Sequence, residues 1–134
     1  MSPVPNLRAF VICERVITDA ATGMPSMINL FNRIIAVAGF PHVHLCAAFI
    51  SMAGGHGKVP VSIRMTDLST GQVFGEFGGI TDFKDPVEPA QMAVCMALRF
   101  PQAGLYALEL NINKTLIATH RLIVEAPPVI SYTN

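Results

Sequence analysis

The chain has 134 residues, of which 51% are hydrophobic and 13% charged, and its nine basic residues balance nine acidic ones. This length predicts a single domain over residues 1–134, and a neutral chain without a basic run is not expected to bind nucleic acid. No apolar stretch approaches the roughly 20 residues of a membrane-spanning helix. A small protein with so few charged residues must leave apolar groups outside its core. We therefore expect a protein partner, either another copy or a larger complex.

The first residues and the cysteines indicate the compartment. The N-terminus lacks the basic-then-apolar pattern of an export signal. Cys13, Cys46 and Cys95 are odd in number, widely spaced and surrounded by apolar neighbours. These features predict reduced thiols in the core of a cytoplasmic protein, with neither a disulfide framework nor a zinc knuckle.

Alternating side-chain character predicts β-strands along the whole chain, because successive side chains of a strand point to opposite faces. Turn residues such as Gly23 separate the alternating stretches, and the second strand admits a bulge near Asn32 and Arg33. The eight predicted strands span residues 7–17, 27–35, 41–52, 59–68, 72–80, 91–100, 105–112 and 115–125.

The first two predicted strands carry a family resemblance. The stretch AFVICERVITDAATGMPSMINLFNRI, residues 9–34, resembles the start of a family of short bacterial β-sandwich proteins of unknown function. The resemblance continues through GLYALEL, residues 104–110, into the last strand. Since that family has no assigned activity, the resemblance implies a fold and not a function.

The third predicted strand contains the candidate metal ligands. His42 and His44 alternate along it and share a face with Cys46, as two imidazoles do in strand-based metal sites. A third ligand would have to come from His120 or Glu14. The competing interpretation is a solvated sheet face, with the apolar residues Val43, Leu45, Ala47 and Phe49 on the other side.

Two of the following strands need comment. Pro60 lies near the start of the fourth strand, which predicts an edge position because proline cannot donate to a ladder. Residues 91–100 have a composition that suits a helix, but their apolar residues alternate. Because they lead directly into the next motif, we predict a strand.

That motif is Ala103-Gly-Leu-Tyr106-Ala-Leu108, which resembles the tyrosine corner of Greek-key sandwiches. In such a corner a tyrosine hydroxyl bonds back to the preceding backbone. Leu108 stands where an antibody domain has its second cysteine, and the chain has no tryptophan. The sequence therefore predicts an all-β fold, an immunoglobulin-like antiparallel β-sandwich of about eight strands.

The loop between the last two strands determines which side chains meet. A two-residue loop would place Arg121 opposite Tyr106, whereas a three-residue loop around Ile112–Lys114 would place His120 there. We predict the longer loop, because it buries no guanidinium group.

Residues 126–134 form a possible partner-docking tail. After Ala126 and two prolines, Val129, Ile130 and Tyr132 supply apolar side chains for an interface. The tail would pack on a neighbour or extend an edge strand. The alternative is that it packs on its own domain.

No motif in the sequence supports catalysis by the protein itself. It has no Gly-x-Ser-x-Gly elbow, and Gly54–Lys58 leads into a strand and not into the helix that a phosphate loop requires. We therefore favour a non-enzymatic structural or accessory subunit that mediates protein–protein assembly and uses no cofactor. The alternative is a small metal-binding protein or metal-dependent enzyme using His42 and His44.

Overall fold

The structure, a computed structural model, describes residues 5–128, in which nine β-strands and no helix occur. The strands form a four-stranded sheet in the order β2-β1-β4-β7 and a five-stranded sheet in the order β3-β9-β8-β5-β6. Their bounds are β1 Asn6–Thr18, β2 Pro25–Leu30, β3 Arg33–Ile35, β4 His42–Ala53, β5 Gly57–Asp67, β6 Val73–Phe83, β7 Ala90–Phe100, β8 Gly104–Ile112 and β9 Thr115–Glu125.

The strand order confirms the predicted immunoglobulin-like sandwich. β4 pairs with β7 in one sheet, while β6, β5, β8 and β9 follow one another in the other sheet. This is the arrangement of strands B and E opposite C′, C, F and G in immunoglobulin domains. Residues 91–100, predicted as a strand despite their composition, are part of β7. No helix in the described residues could span a membrane.

The tyrosine corner is present as predicted. The hydroxyl group of Tyr106 donates to the carbonyl oxygen of Gln102 at 2.7 Å, and the residue is 1% exposed. Its ring packs edge-on against Phe100, with the ring centroids 4.9 Å apart. The hydrogen bond satisfies a hydroxyl group that would otherwise be costly to bury, so it fixes the chain between β7 and β8.

The predicted second strand is wrong, because the chain changes sheets within it. β2 pairs with β1 in the four-stranded sheet, whereas β3 runs parallel to β9 in the five-stranded sheet, with Arg33 opposite Ile123. Phe31 and Asn32 make the crossing. The described sandwich therefore has nine strands and one parallel pair. The sequence did not indicate the crossing, because a short apolar alternation looks the same in either sheet.

The predicted loop between β8 and β9 is also wrong, because the turn is one residue shorter than predicted. The loop has two residues, Asn113–Lys114, whose φ angles of 53° and 68° suit a tight hairpin turn. The extra residue lies in a bulge at Ile117, between the Leu110–Ala118 and Asn111–Leu116 pairs. As a result Leu122, and not His120, faces Tyr106.

Pro60 does not lie at a sheet edge, because β5 runs between β6 and β8. The pairing of β5 with β8 begins one residue later, at Val61 opposite Ile112. Pro60 therefore lies just outside the β5–β8 ladder, where the N–H group that proline lacks is not needed for pairing.

We predict that Gly78→Ala destabilises the protein by roughly 1–3 kcal/mol. A Cβ atom at this position would overlap the backbone of Val61 on the neighbouring strand β5. Gly79→Ala is the matched control, because its Cβ would meet only the flexible end of Met92, at 3.9 Å. Urea unfolding of both variants measures the difference, and equal midpoints would contradict the close approach of β5 and β6.

Candidate functional site

The three residues of the predicted interface lie outside the described part of the chain. Val129, Ile130 and Tyr132 follow Pro128, at which the description ends. Their role stays a prediction.

His42 and His44 lie at the start of β4 and join Glu14 of β1 in a hydrogen-bonded chain. His42 Nε2 is 3.4 Å from His44 Nδ1, and His44 Nε2 is 3.2 Å from Glu14 Oε1. Both rings are half-buried, and Cys46 on the same face is 5% exposed and part of the core. The solvated sheet face considered from the sequence is therefore wrong, since this face of β4 points into the sandwich.

The geometry of this chain limits the chemistry available to it. His44 directs both ring nitrogens at protein groups, so the three side chains form a line and do not surround a common point. Within residues 5–128, no three His, Cys, Asp or Glu side chains are arranged to hold a metal ion. His120, the other candidate third ligand, packs against Phe10 instead. Metal binding by His42 and His44 stays a prediction.

Aromatic neighbours keep the two imidazoles in place. Phe31 packs edge-on against His44 with centroids 5.0 Å apart, and His42 stacks on Phe100 at 6.5 Å. Burial lowers the pKa of His42, and the nearby His44 lowers it further. An ionised Glu14 accepts from His44 Nε2–H, so His44 Nδ1 then accepts from His42 Nε2–H. The cluster thereby satisfies polar groups at one end of the sandwich.

The thiols differ from one another, contrary to the prediction of three core cysteines. Cys13 and Cys46 are buried, and burial raises the pKa of Cys46 to about 12. Such a thiol is not ionised near neutral pH and is a poor nucleophile or metal ligand. Cys95 is exposed, because it points away from the core on β7, the edge strand of its sheet.

The most unusual surface lies on the outer side of β4 and β7. Leu45 is 72% exposed and faces Ala97 across the two strands, while Ala47 faces the exposed Cys95. We call this surface the apolar outer face; its residues are Val43, Leu45, Ala47, Phe49, Ala93, Cys95 and Ala97. The alternation of these residues was visible in the sequence. It did not indicate that they point outward, because both faces of β4 are apolar.

The β1–β2 hairpin covers one half of the apolar outer face and leaves the other half open. Val16 and Pro25 line a cavity of about 180 Å³ together with Phe49, which is therefore only 7% exposed. Beside it is an open cleft of about 480 Å³ between the start of the hairpin, at Glu14 to Val16, and a floor that includes Leu45 and Ala97. The cleft is large enough to receive side chains from another molecule.

The outer side of the five-stranded sheet carries more polar groups. Lys58 lies opposite Asp82, and Arg64 lies 3.8 Å from Glu76. The Thr66 hydroxyl donates to Glu109 at 2.6 Å. These polar groups lie among exposed apolar side chains such as Ile80 and Leu105, so this face is mixed in character. The apolar outer face, by contrast, carries no charged side chain from Val43 to Phe49 or from Ala93 to Ala97.

Comparison with known proteins shows the family of the chain. Residues 8–125 match the model of a family of unknown function (DUF6941), and the chain belongs to that family. No protein of curated function matches the chain. A similar solved structure is that of the CARDB domain of the PF1109 protein from Pyrococcus furiosus, in complex with di-metal ions. It is 11% identical and covers 90% of this chain and 89% of that chain, with a TM-score of 0.45. Similarity at this level carries no argument about metal binding or activity.

We predict that the protein loses stability as the pH falls from 7.5 towards 5.5. Burial lowers the pKa of both His42 and His120 in the folded state. Below their ordinary pKa near 6.5, the unfolded chain therefore takes up protons that the folded chain does not, which favours unfolding.

His120→Leu should reduce this loss, because it removes one of the two rings that resist protonation. His56→Gln is the matched control, since His56 is exposed in the loop before β5. Thermal unfolding at several pH values measures the effect. If the His120→Leu protein loses as much stability at low pH as the wild type, protonation of His120 does not cause the loss.

Proposed function

We propose that this protein is a non-enzymatic β-sandwich module that binds a protein partner, another copy or a member of a larger complex, through the apolar outer face. The supporting observation is the contrast between the two outer faces of the sandwich. One mixes the Arg64–Glu76 ion pair with exposed apolar residues such as Ile80, while the other exposes 72% of Leu45 and 55% of Val43 with no charged side chain between them. Covering one such side chain contributes about 1.5–3 kcal/mol to association.

The shape of the face suits a second β-sheet. Ala93, Cys95 and Ala97 are small, so a partner backbone can approach β7 closely, and face-to-face sheets pack about 10 Å apart. Leu45 stands above this floor as a side chain for a partner to enclose. A few well-enclosed side chains of this kind carry most of the energy of an interface.

The charges at the border of the face indicate what the rim of the partner would carry. Arg15 lines the cleft, and Arg99 lies opposite Val43 on β7. Within the described residues neither has an ion-pair partner, whereas Arg33 and Arg64 do. We expect a partner with an apolar centre and carboxylates around it, which would steer association more than strengthen it.

The alternative function, a metal site at His42 and His44, has no comparable support. His44 is engaged on both nitrogens, and the pKa of His42 is lowered by its surroundings. The geometry fits two imidazoles that satisfy each other inside the sandwich.

We predict that Leu45→Lys weakens association at least tenfold while leaving the fold unchanged, because it places a charge at the centre of the apolar outer face. Light scattering after size exclusion at micromolar concentration measures self-association, and affinity capture measures a retained partner. Ile80→Lys is the matched control, since Ile80 is 68% exposed on the other outer face, opposite Pro60. A wild-type protein that is monomeric and partnerless, or an equal effect of both substitutions, would refute the proposal.

A further inference from the structure

Within residues 5–128, one side of the sandwich is open between the two sheets. β2 pairs with β1 only from Cys13 onwards, so the described part of β1 before Ile12 has a neighbour on the β4 side alone. β3 pairs with β9 only over Ile123–Glu125, so among the described residues those of β9 before Ile123 have a neighbour on the β8 side alone. We call the gap between these two half-paired strands the edge slot.

The edge slot contains an open cavity of about 370 Å³ with a mixed lining. Phe10, Leu30 and Phe31 supply apolar groups, and Asn32 and His120 supply polar ones. The ring of His120 packs edge-on against Phe10, with centroids 6.3 Å apart. His120 Nδ1 is buried and has no hydrogen-bond partner among the described residues. Side chains entering this gap would contact both sheets.

The backbone of β9 presents hydrogen-bonding groups to the edge slot that have no ladder partner within residues 5–128. Ile123 N–H donates to Asn32, and the carbonyl oxygen of Glu125 accepts from Ala36 N–H, both at 2.9 Å. Backbone groups two residues apart in a strand point to the same side, so Thr119 and Arg121 direct theirs to this edge as well. β3 does not extend far enough to pair with them. An unpaired edge of this kind is a template for another strand.

We propose that the edge slot accepts residues 129–134 of a second copy as an added strand. In this segment Ile130 and Tyr132 alternate with Ser131 and Thr133, which is the pattern of a half-buried strand. Six extended residues span about 20 Å, which fits within the eight residues of β9 before Ile123. Ile130 and Tyr132 would enter the cavity, and the backbone would pair with β9.

We assign the segment to a second copy on the course of the described chain after β9. Ala126 and Pro127 each precede a proline, which restricts both residues to extended conformations and disfavours a reversal of the chain. β3 also lies beside the end of β9, between the departing chain and its own slot. Since every copy offers one segment and one slot, the contact is head-to-tail and forms rings or open chains.

The test uses the full chain carrying Ile130→Asp and Tyr132→Asp, so that its own segment no longer competes. A fluorescent peptide of residues 127–134 is titrated in, and anisotropy should show saturable binding. Adding Thr119→Pro removes a backbone donor that faces the slot without removing a bond to β8, and should weaken binding at least tenfold. Thr119→Val, which keeps the donor, should bind as before.

A second measurement does not depend on the proline. Adding the peptide to the Thr119→Val protein should slow amide exchange at Arg121 and at position 119 by at least tenfold. Absence of peptide binding, equal binding to the Thr119→Pro protein, or unchanged exchange at both amides would overturn the proposal. Leu45→Lys should leave peptide binding intact, because the contact extends the assembly role through a different surface. Loss of binding in that variant would instead assign the peptide to the apolar outer face.

Discussion

The rest of the structure depends on the position of β4 between β1 and β7. One face of β4 closes the core with Ile50 and Met52, both fully buried, and the other face is apolar as well. A strand that is apolar on both faces must be covered twice or leave apolar surface in water. Here the β1–β2 hairpin covers Phe49 but does not reach Leu45. The proposed interface follows directly from this incomplete cover.

The same strand explains why the polar residues of the interior are paired. The inward face of β4 begins with two histidines before it becomes apolar, and Glu14 of the neighbouring strand reaches His44. Aromatic rings from Phe31 and Phe100 complete the cluster. Buried polar groups are costly unless they are hydrogen-bonded, so a carboxylate and two imidazoles in line are a stable arrangement at the end of a sandwich.

The crossing at Phe31 and Asn32 has a consequence on the opposite side of the molecule from β7. By sending β2 to one sheet and β3 to the other, it gives each sheet a short outer strand, and β1 and β9 are left half-paired. The two proposed surfaces for association are therefore unlike, one made of side chains and one of backbone groups. The apolar outer face would bind an apolar surface, and the edge slot would bind an extended segment.

The sequence by itself determined the all-β class, the extent of most strands and the tyrosine corner at Tyr106, because each depends on local alternation or on a short motif. Only the tertiary structure decided which face of β4 points inward, where Cys95 lies and that β2 and β3 belong to different sheets. Alternation with a period of two reports that a strand has two faces, but it does not say which one meets the other sheet. That choice depends on pairing between residues far apart in the chain, and for β4, with apolar residues on both sides, the pattern left it open.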